Sequence, residues 1–157
     1  MEKSQQGVTE SNGTYTLNGD AYLLFNRLGN HNKISFTVKT SSNTDKFGFS
    51  VVRGSDSDKY YSVIVNPEND SQRKLNFEEE GKSGQGFIAG IDGYVFNRPT
   101  DNTYHVTIYT DNSICVVYVN DICSYTNRIY GIQKNCWSIN SYGGNISVSD
   151  VKVSQYE

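Results

Sequence analysis

The chain has no surplus of positive charge. Fourteen Lys and Arg stand against seventeen Asp and Glu, giving a net charge of −3. That excludes the basic footprint a nucleic-acid partner requires. No apolar run approaches membrane-spanning length, so no membrane insertion is expected. Residues 1–6, Met-Glu-Lys-Ser-Gln-Gln, lack the apolar core of a signal peptide. Three cysteines, Cys115, Cys123 and Cys136, do not make a disulfide framework. If Asn120-Asp121 is a two-residue turn, Tyr118 faces Cys123 and Cys115 faces Thr126. Cys115 and Cys123 then point to opposite faces and do not bond, although one of them could pair with Cys136. Small buried thiols are the expectation, and the redox compartment stays open.

Histidine is equally scarce. His31 and His105 lie far apart, one in a turn and one on a strand's polar face, and Cys/His zinc spacing is absent. Asp56-Ser57-Asp58 lacks the alternating ligands of a calcium loop and reads as a plain turn. Gly81-Lys82-Ser83 has Asn76 where a phosphate-binding loop needs its first glycine, and Gly84-Gln85-Gly86 has Ala89 where a dinucleotide fingerprint needs its third. No metal and no cofactor is therefore expected. Nothing places a serine in a strained nucleophile elbow, and no pair of carboxylates is singled out for glycoside hydrolysis. The acidic run Glu78-Glu79-Glu80 reads as a solvated turn. There is no internal repeat and no convincing helix longer than two turns.

What the chain does have is aromatic and β-branched residues, with twelve tyrosines. Gly, Asn, Asp and Ser punctuate them at short, regular intervals, the pattern of a sandwich or barrel of short strands. Candidate strands are 14–18, 21–26, 33–40, 46–53, 59–66, 73–79, 86–90, 103–110, 113–119, 122–128, 135–140 and 145–155. Ile34, Phe36 and Val38 alternate with Ser35 and Thr37. Phe47, Phe49 and Val51 repeat the pattern, as do Val106 and Ile108 against His105 and Thr107. Ile146 and Val148 do likewise, before a slip at Asp150 restarts the pattern at Val151 and Val153, which predicts a bulge. Alternation on this scale means one buried and one solvated face. The fold class is thus all-β, a two-sheet antiparallel β-sandwich (jelly-roll or concanavalin-like) of roughly 10–12 short strands. Residues 1–12 look like a linker end and residues 13–157 like one domain, belonging to a longer chain. Residues 81–86 are a flexible-loop candidate.

Tyrosine and tryptophan offer an apolar face with a polar handle, and the chain pairs them with many Asp, Asn, Gln and Arg. Flat rings beside planar hydrogen-bonding groups suit sugars, although most of these aromatics must fill the core. Trp137, in Cys136-Trp137-Ser138-Ile139, suits either role.

The most informative stretch is 111–130. It runs Asp111-x-Ser113, an apolar strand ending Val119-Asn120-Asp121, then Thr126-x-Arg128-Ile129-Tyr130. It resembles the C-terminal β-sandwich of glycoside hydrolase family 32, the family of invertases, inulinases and levanases. It also resembles the related carbohydrate-binding module family 66, which binds fructans. The resemblance is strong over 102–154 and weaker back to Tyr60, where Tyr60-Ser62-Val63-Ile64-Val65 and Leu75-x-Phe77 look like that domain's earlier hairpin. Relatives usually carry an acid at the position of Val116, Arg at Asn112 and Gly at Ile122. The hydrolase's catalytic motifs, Asn-Asp-Pro-Asn-like, Arg-Asp-Pro and Glu-Cys, do not occur. The only prolines are Pro67 and Pro99, preceded by Asn66 and Arg98.

The resemblance implies a non-catalytic module recognising fructan, levan slightly ahead of inulin, appended to a catalytic propeller domain in an extracellular, cell-surface or periplasmic protein. A shallow pocket would hold a terminal fructose. Asp111, Arg128, Tyr130 and Trp137 are its candidate residues, with Glu79 and Gln85 from the 79–85 region. The alternatives are a structural domain that packs on the hydrolase without binding sugar, and a small independent enzyme. In the structural reading, Asp111 caps a turn and Arg128 pairs with Asp121 or with an acid of the catalytic domain.

Overall fold

The computed structural model describes residues 2–52, 60–69, 74–81 and 96–156. Within them lie twelve strands, in chain order β1 (Glu2–Ser11), β2 (Thr14–Phe25), β3 (His31–Thr40), β4 (Lys46–Val51), β5 (Tyr61–Asn69), β6 (Lys74–Gly81), β7 (Phe96–Asn97), β8 (Thr103–Asp111), β9 (Ile114–Val119), β10 (Cys123–Arg128), β11 (Trp137–Tyr142) and β12 (Asn145–Gln155). The expected strand at 86–90, most of the 81–86 loop, the 56–58 turn and Gln85 lie outside the described residues. Every pairing is antiparallel.

The strands follow one hydrogen-bonded path, β10-β9-β8-β3-β12-β2-β11-β4-β5-β6-β7, with β1 also on β2. The path folds back on itself at β2. Residues 15–18 of β2 pair with β12, and residues 21–25 pair with β11. The bend falls at Gly19, whose φ of 71° suits glycine. Its N–H donates to Gly144 O at 2.7 Å, and Gly143 N–H donates back to its carbonyl at 3.2 Å. β10, β9, β8, β3 and β12 therefore form one layer, and β11, β4, β5, β6 and β7 the other. β2 belongs to both, so the two 21–26 and 14–18 segments expected separately are one bent strand.

Between the layers lies a single core. Ile34, Phe36, Val38, Val106, Ile108, Val117 and Val119 come from the first layer. Phe47, Phe49, Val51, Val63, Val65, Trp137 and Ile139 come from the second. The Phe47 and Tyr104 rings meet across it, centroids 5.0 Å apart. The predicted bulge is present, as a register shift between Ser149 and Lys152 against β3 with Asp150 at φ 55°.

Residues 2–11, expected as part of a linker, form β1 along β2. Main-chain ladders do not need apolar side chains, and residues 9–11 of this strand are exposed, so its composition resembles that of a linker. At Gly7 the register shifts beside the β2 bend, and a Cβ there would lie 2.9 Å from the Ala21 Cβ. The run Glu78-Glu79-Glu80, expected as a turn, is strand β6 in register with Ile64, Val63 and Ser62. The side chain of Glu79 lies outside what the structure describes.

The 119–123 hairpin departs from the two-residue turn. Cys123 pairs with Val119 and Ser124 with Tyr118, so the loop is the three residues Asn120-Asp121-Ile122. Asn120 and Asp121 both have φ 53°. Asn120 is pinned to β8, its N–H donating to His105 O at 2.8 Å and its Oδ1 accepting from His105 N at 2.7 Å. Sliding a strand by one residue turns every side chain over. The two-residue turn would put Cys123 outside and Arg128 on the core face, where an unpaired charge is costly. The third loop residue, Ile122, is instead left 72% exposed, Cys123 goes to the core, and Arg128 faces out. Cys115 and Cys123 thus share the core face and stay apart by their distance along the hairpin, not by facing oppositely. All three thiols are free.

Burial pushes the Cys115 thiol from 9.0 up to about 12 and the Tyr104 phenol from 10.0 up to about 12. Both groups keep protons in the folded state that the unfolded chain releases. This stabilisation is whole below about pH 9 and is lost as pH rises toward 12. Alkaline titration followed by circular dichroism should show unfolding setting in above pH 9, and alkylation at neutral pH should reach half-buried Cys136 before buried Cys115 and Cys123. Native labelling of Cys115 at the rate of Cys136 would contradict this packing.

Candidate functional site

The outer faces of the two layers differ in what they offer a ligand. On the second layer Ser50, Ser62, Ser138 and Asn140 are buried and spend their hydrogen bonds on one another. Ser50 Oγ and Ser62 Oγ are 2.7 Å apart, Asn140 Nδ2 donates to Ser50 Oγ at 2.7 Å, and Ser138 Oγ donates to Asn140 Oδ1 at 3.0 Å. On the first layer the outward residues of β3, β8, β9 and β10 are exposed or half-buried, and their polar groups face solvent.

The pairing registers arrange that outer face in rows. His31, Asp111, Ile114 and Arg128 form the first row, and Lys33, Tyr109, Val116 and Thr126 the second. Ser35, Thr107, Tyr118 and Ser124 form the third. The 111–130 motif therefore places Asp111 and Arg128 on one face in one row, although seventeen positions separate them in sequence.

Asp111 ends β8 and is 53% exposed. Its Oδ1 lies 3.1 Å from His31 Nδ1 and accepts from Asn112 Nδ2 at 3.0 Å. Both contacts are made by side chains, and the one with His31 has an ion-pair geometry that the sequence did not indicate. Arg128 Nη1 donates to Ser113 Oγ at 3.3 Å, and its guanidinium carbon lies 5.8 Å from the centre of the Tyr130 ring. Asp121 sits at the other end of the hairpin, so Arg128 is turned to Ser113 and Tyr130 rather than to it. Tyr130 is 58% exposed. Arg128 and Tyr130 thus lie together at the edge of the sheet, and Asp111 lies two strands in along the same row, across Ile114.

Trp137 is not among them. It is 2% exposed, stacked on Phe25 at 4.0 Å and 10°, and within 5.9 Å of Phe49. The strand it starts faces the core at that position, so its ring has no surface for a sugar. Of the other two candidates, Gln85 lies outside the described residues and Glu79 is described only in its backbone.

Beside the first row is an open depression of about 510 Å³ lined by Lys33, Thr107, Tyr109, Tyr118 and Asp121. Tyr109 has the most ring contacts of its lining residues. The Tyr118 ring meets it edge-on at 6.1 Å, the Tyr156 ring lies 6.2 Å away at 70°, and Lys33 Nζ sits 5.6 Å from its centroid. Tyr156 also lies 5.7 Å from the His31 ring and donates its hydroxyl to Thr110 O at 3.3 Å. Its phenol is pushed up from the usual value by desolvation, then by the charge of Asp111, which keeps it a donor. Sequence reasoning passed over Tyr109, Tyr118 and Tyr156. One signal was available: Tyr109 continues the polar register His105, Thr107, where an aromatic ring faces solvent.

A family model described as "GH32, BT1760-like, C-terminal domain" matches residues 1–153. The chain belongs to this family of GH32 C-terminal domains. The match extends over β1, which the sequence reading gave to a linker. Among solved structures, carbohydrate-binding module CBM66 from Bacillus subtilis superposes with a TM-score of 0.62 at 10% identity, covering 99% of this chain and 94% of that one. A fructosyltransferase from A. japonicus matches with a TM-score of 0.62 at 15% identity, covering 98% of this chain and 26% of its own. A β-fructofuranosidase from Aspergillus kawachii gives 0.61 at 16%, covering 92% and 27%. This GH32 C-terminal domain thus shares its fold with nearly all of the solved CBM66 chain and with about a quarter of two larger enzymes. No curated protein matches the sequence.

Proposed function

We propose that this domain is a non-catalytic carbohydrate-binding module that recognises fructan, levan ahead of inulin, and is appended to a GH32 catalytic propeller. The observation that carries the reading is the gathering of Asp111, Arg128 and Tyr130 on one exposed patch of the first layer's outer face. Asp111 accepts hydrogen bonds from sugar hydroxyls, Arg128 donates them, and the Tyr130 ring faces the sugar's C–H groups. A terminal fructose fits such a shallow, mixed site. The family match and the names of its structural neighbours, a carbohydrate-binding module and two fructose-processing enzymes, support the choice of ligand. In an extracellular, cell-surface or periplasmic parent protein, the module would raise the enzyme's effective concentration on the polymer.

A second reading, a structural domain without sugar affinity, draws on Ile114, which lies between Asp111 and Arg128, and on Val116 in the next row, two apolar residues on β9. Calorimetric titration with levan, inulin and fructose, together with electrophoresis in levan-containing gels, separates the two. Heat of binding and retardation are expected. Neither heat nor retardation would leave the structural reading in its place.

A further inference from the structure

We propose that the depression around Tyr109 is a second sugar subsite, continuous with the Asp111–Arg128 patch, so that the module grips a run of consecutive sugar residues in a linear neutral glycan. This rests on the sugar-binding reading above and extends it from a terminal residue to a chain.

Three observations carry it. The first is continuity. Tyr109 and Asp111 are two residues apart on β8 and share a face, which sets them about 7 Å apart. The ring of Tyr156 bridges the step, touching Tyr109 on one side and His31 on the other, and His31 holds Asp111. Rings and hydrogen-bonding groups thus run from Tyr118 through Tyr109 and Tyr156 to His31 and Asp111, and Ile114 separates Asp111 from Arg128 and Tyr130.

The second is chemistry. Tyr118 and Tyr156 are each more than a third exposed and steeply inclined to Tyr109, so the wall offers apolar faces in several orientations. Lys33 supplies a donor, Asp121 an acceptor and Thr107 both, which suits the hydroxyls of a sugar.

The third is charge. One cation and one anion line the depression, Lys33 and Asp121, and they balance. An anionic or cationic polymer would meet one of them repelling it, whereas a neutral polyhydroxylated chain can use both. A volume of about 510 Å³ is within the range of small-ligand sites, and the depression is open to solvent.

The test is calorimetry of the chain with fructose and with defined fructo-oligosaccharides of increasing length. Affinity should climb over the first few residues added, by about tenfold in all, and then level off. Tyr118→Ala should flatten that climb, Tyr118→Phe should keep it, and Lys33→Ala, which reads the same subsite should Tyr118→Ala fail to fold, should reduce it. Arg128→Ala should weaken every length alike and preserve the ratio between long and short ligands. A native protein that binds fructose as tightly as the longest oligosaccharide would overturn the subsite while leaving the terminal-residue reading standing, as would a climb that survives both Tyr118→Ala and Lys33→Ala. Failure to bind any length would overturn the sugar-binding reading itself.

Discussion

Replacing Trp137 by alanine should destabilise the domain by about 3–5 kcal/mol, the usual range for deleting a buried Trp. The ring is the largest fully buried side chain, stacked on Phe25 of β2 and inclined to Phe49 of β4. It joins three neighbouring strands, because Trp137 pairs with Phe25 on one side and Val51 on the other. Its removal therefore leaves a cavity at the far end of β2, between Phe25 and Phe49, which the three paired strands cannot close without shifting. For a domain of this size the loss corresponds to a fall in melting temperature of roughly 6–20 °C. Trp137→Phe, which keeps a ring and part of the volume, should cost clearly less. The same pair of variants reads function. Trp137→Phe should bind fructan as the native chain does, because the ring touches only protein. A Trp137→Phe protein that melts normally but has lost its affinity would return Trp137 to the binding site.

Arg128→Ala should act the other way, with little effect on melting and a large one on binding. Arg128 is exposed, and its contacts with Ser113 and Tyr130 are surface ones, so its removal should cost the fold less than about 1 kcal/mol. A hydrogen bond from a charged group is worth about 1.5–3 kcal/mol, so fructan affinity should fall roughly tenfold to a hundredfold. Arg128→Lys keeps the charge but not the planar fork, and should recover only part of the loss. Titration of the three proteins with levan, alongside their melting curves, decides the matter. Equal affinity in Arg128→Ala and the native chain would remove this residue, and with it the first-row patch, from the site.

Much of the fold was legible because amphipathic strands advertise themselves. The alternation at 34–38, 47–51 and 106–108 marked core-facing residues correctly, and the slip at Asp150 marked the bulge. The all-β class and the 111–130 motif followed from the residues alone. Of the candidate site residues, that motif named Asp111, Arg128 and Tyr130, which lie exposed on the first layer, and the sequence reading also named Trp137, which is buried in the core. A lone Trp in a strand carries no mark of which face it takes. β1 was missed because an edge strand held by its main chain has no composition that distinguishes it from a linker.

By itself, then, the sequence determined that this chain alternates into strands, and which residues share a face within each strand. Only the tertiary structure decided how those faces meet. At the 119–123 hairpin one extra loop residue, held by the Asn120–His105 contacts, turned β10 over and brought Arg128 to the same face and row as Asp111, across Ile114. Across the sheet, pairing of β3 with β8 and β8 with β9 drew Lys33, Tyr109 and Tyr118 around one depression. The reason is that a period of two is a local property of the backbone, while register is set by long-range pairing and by the cost of burying the wrong side chain.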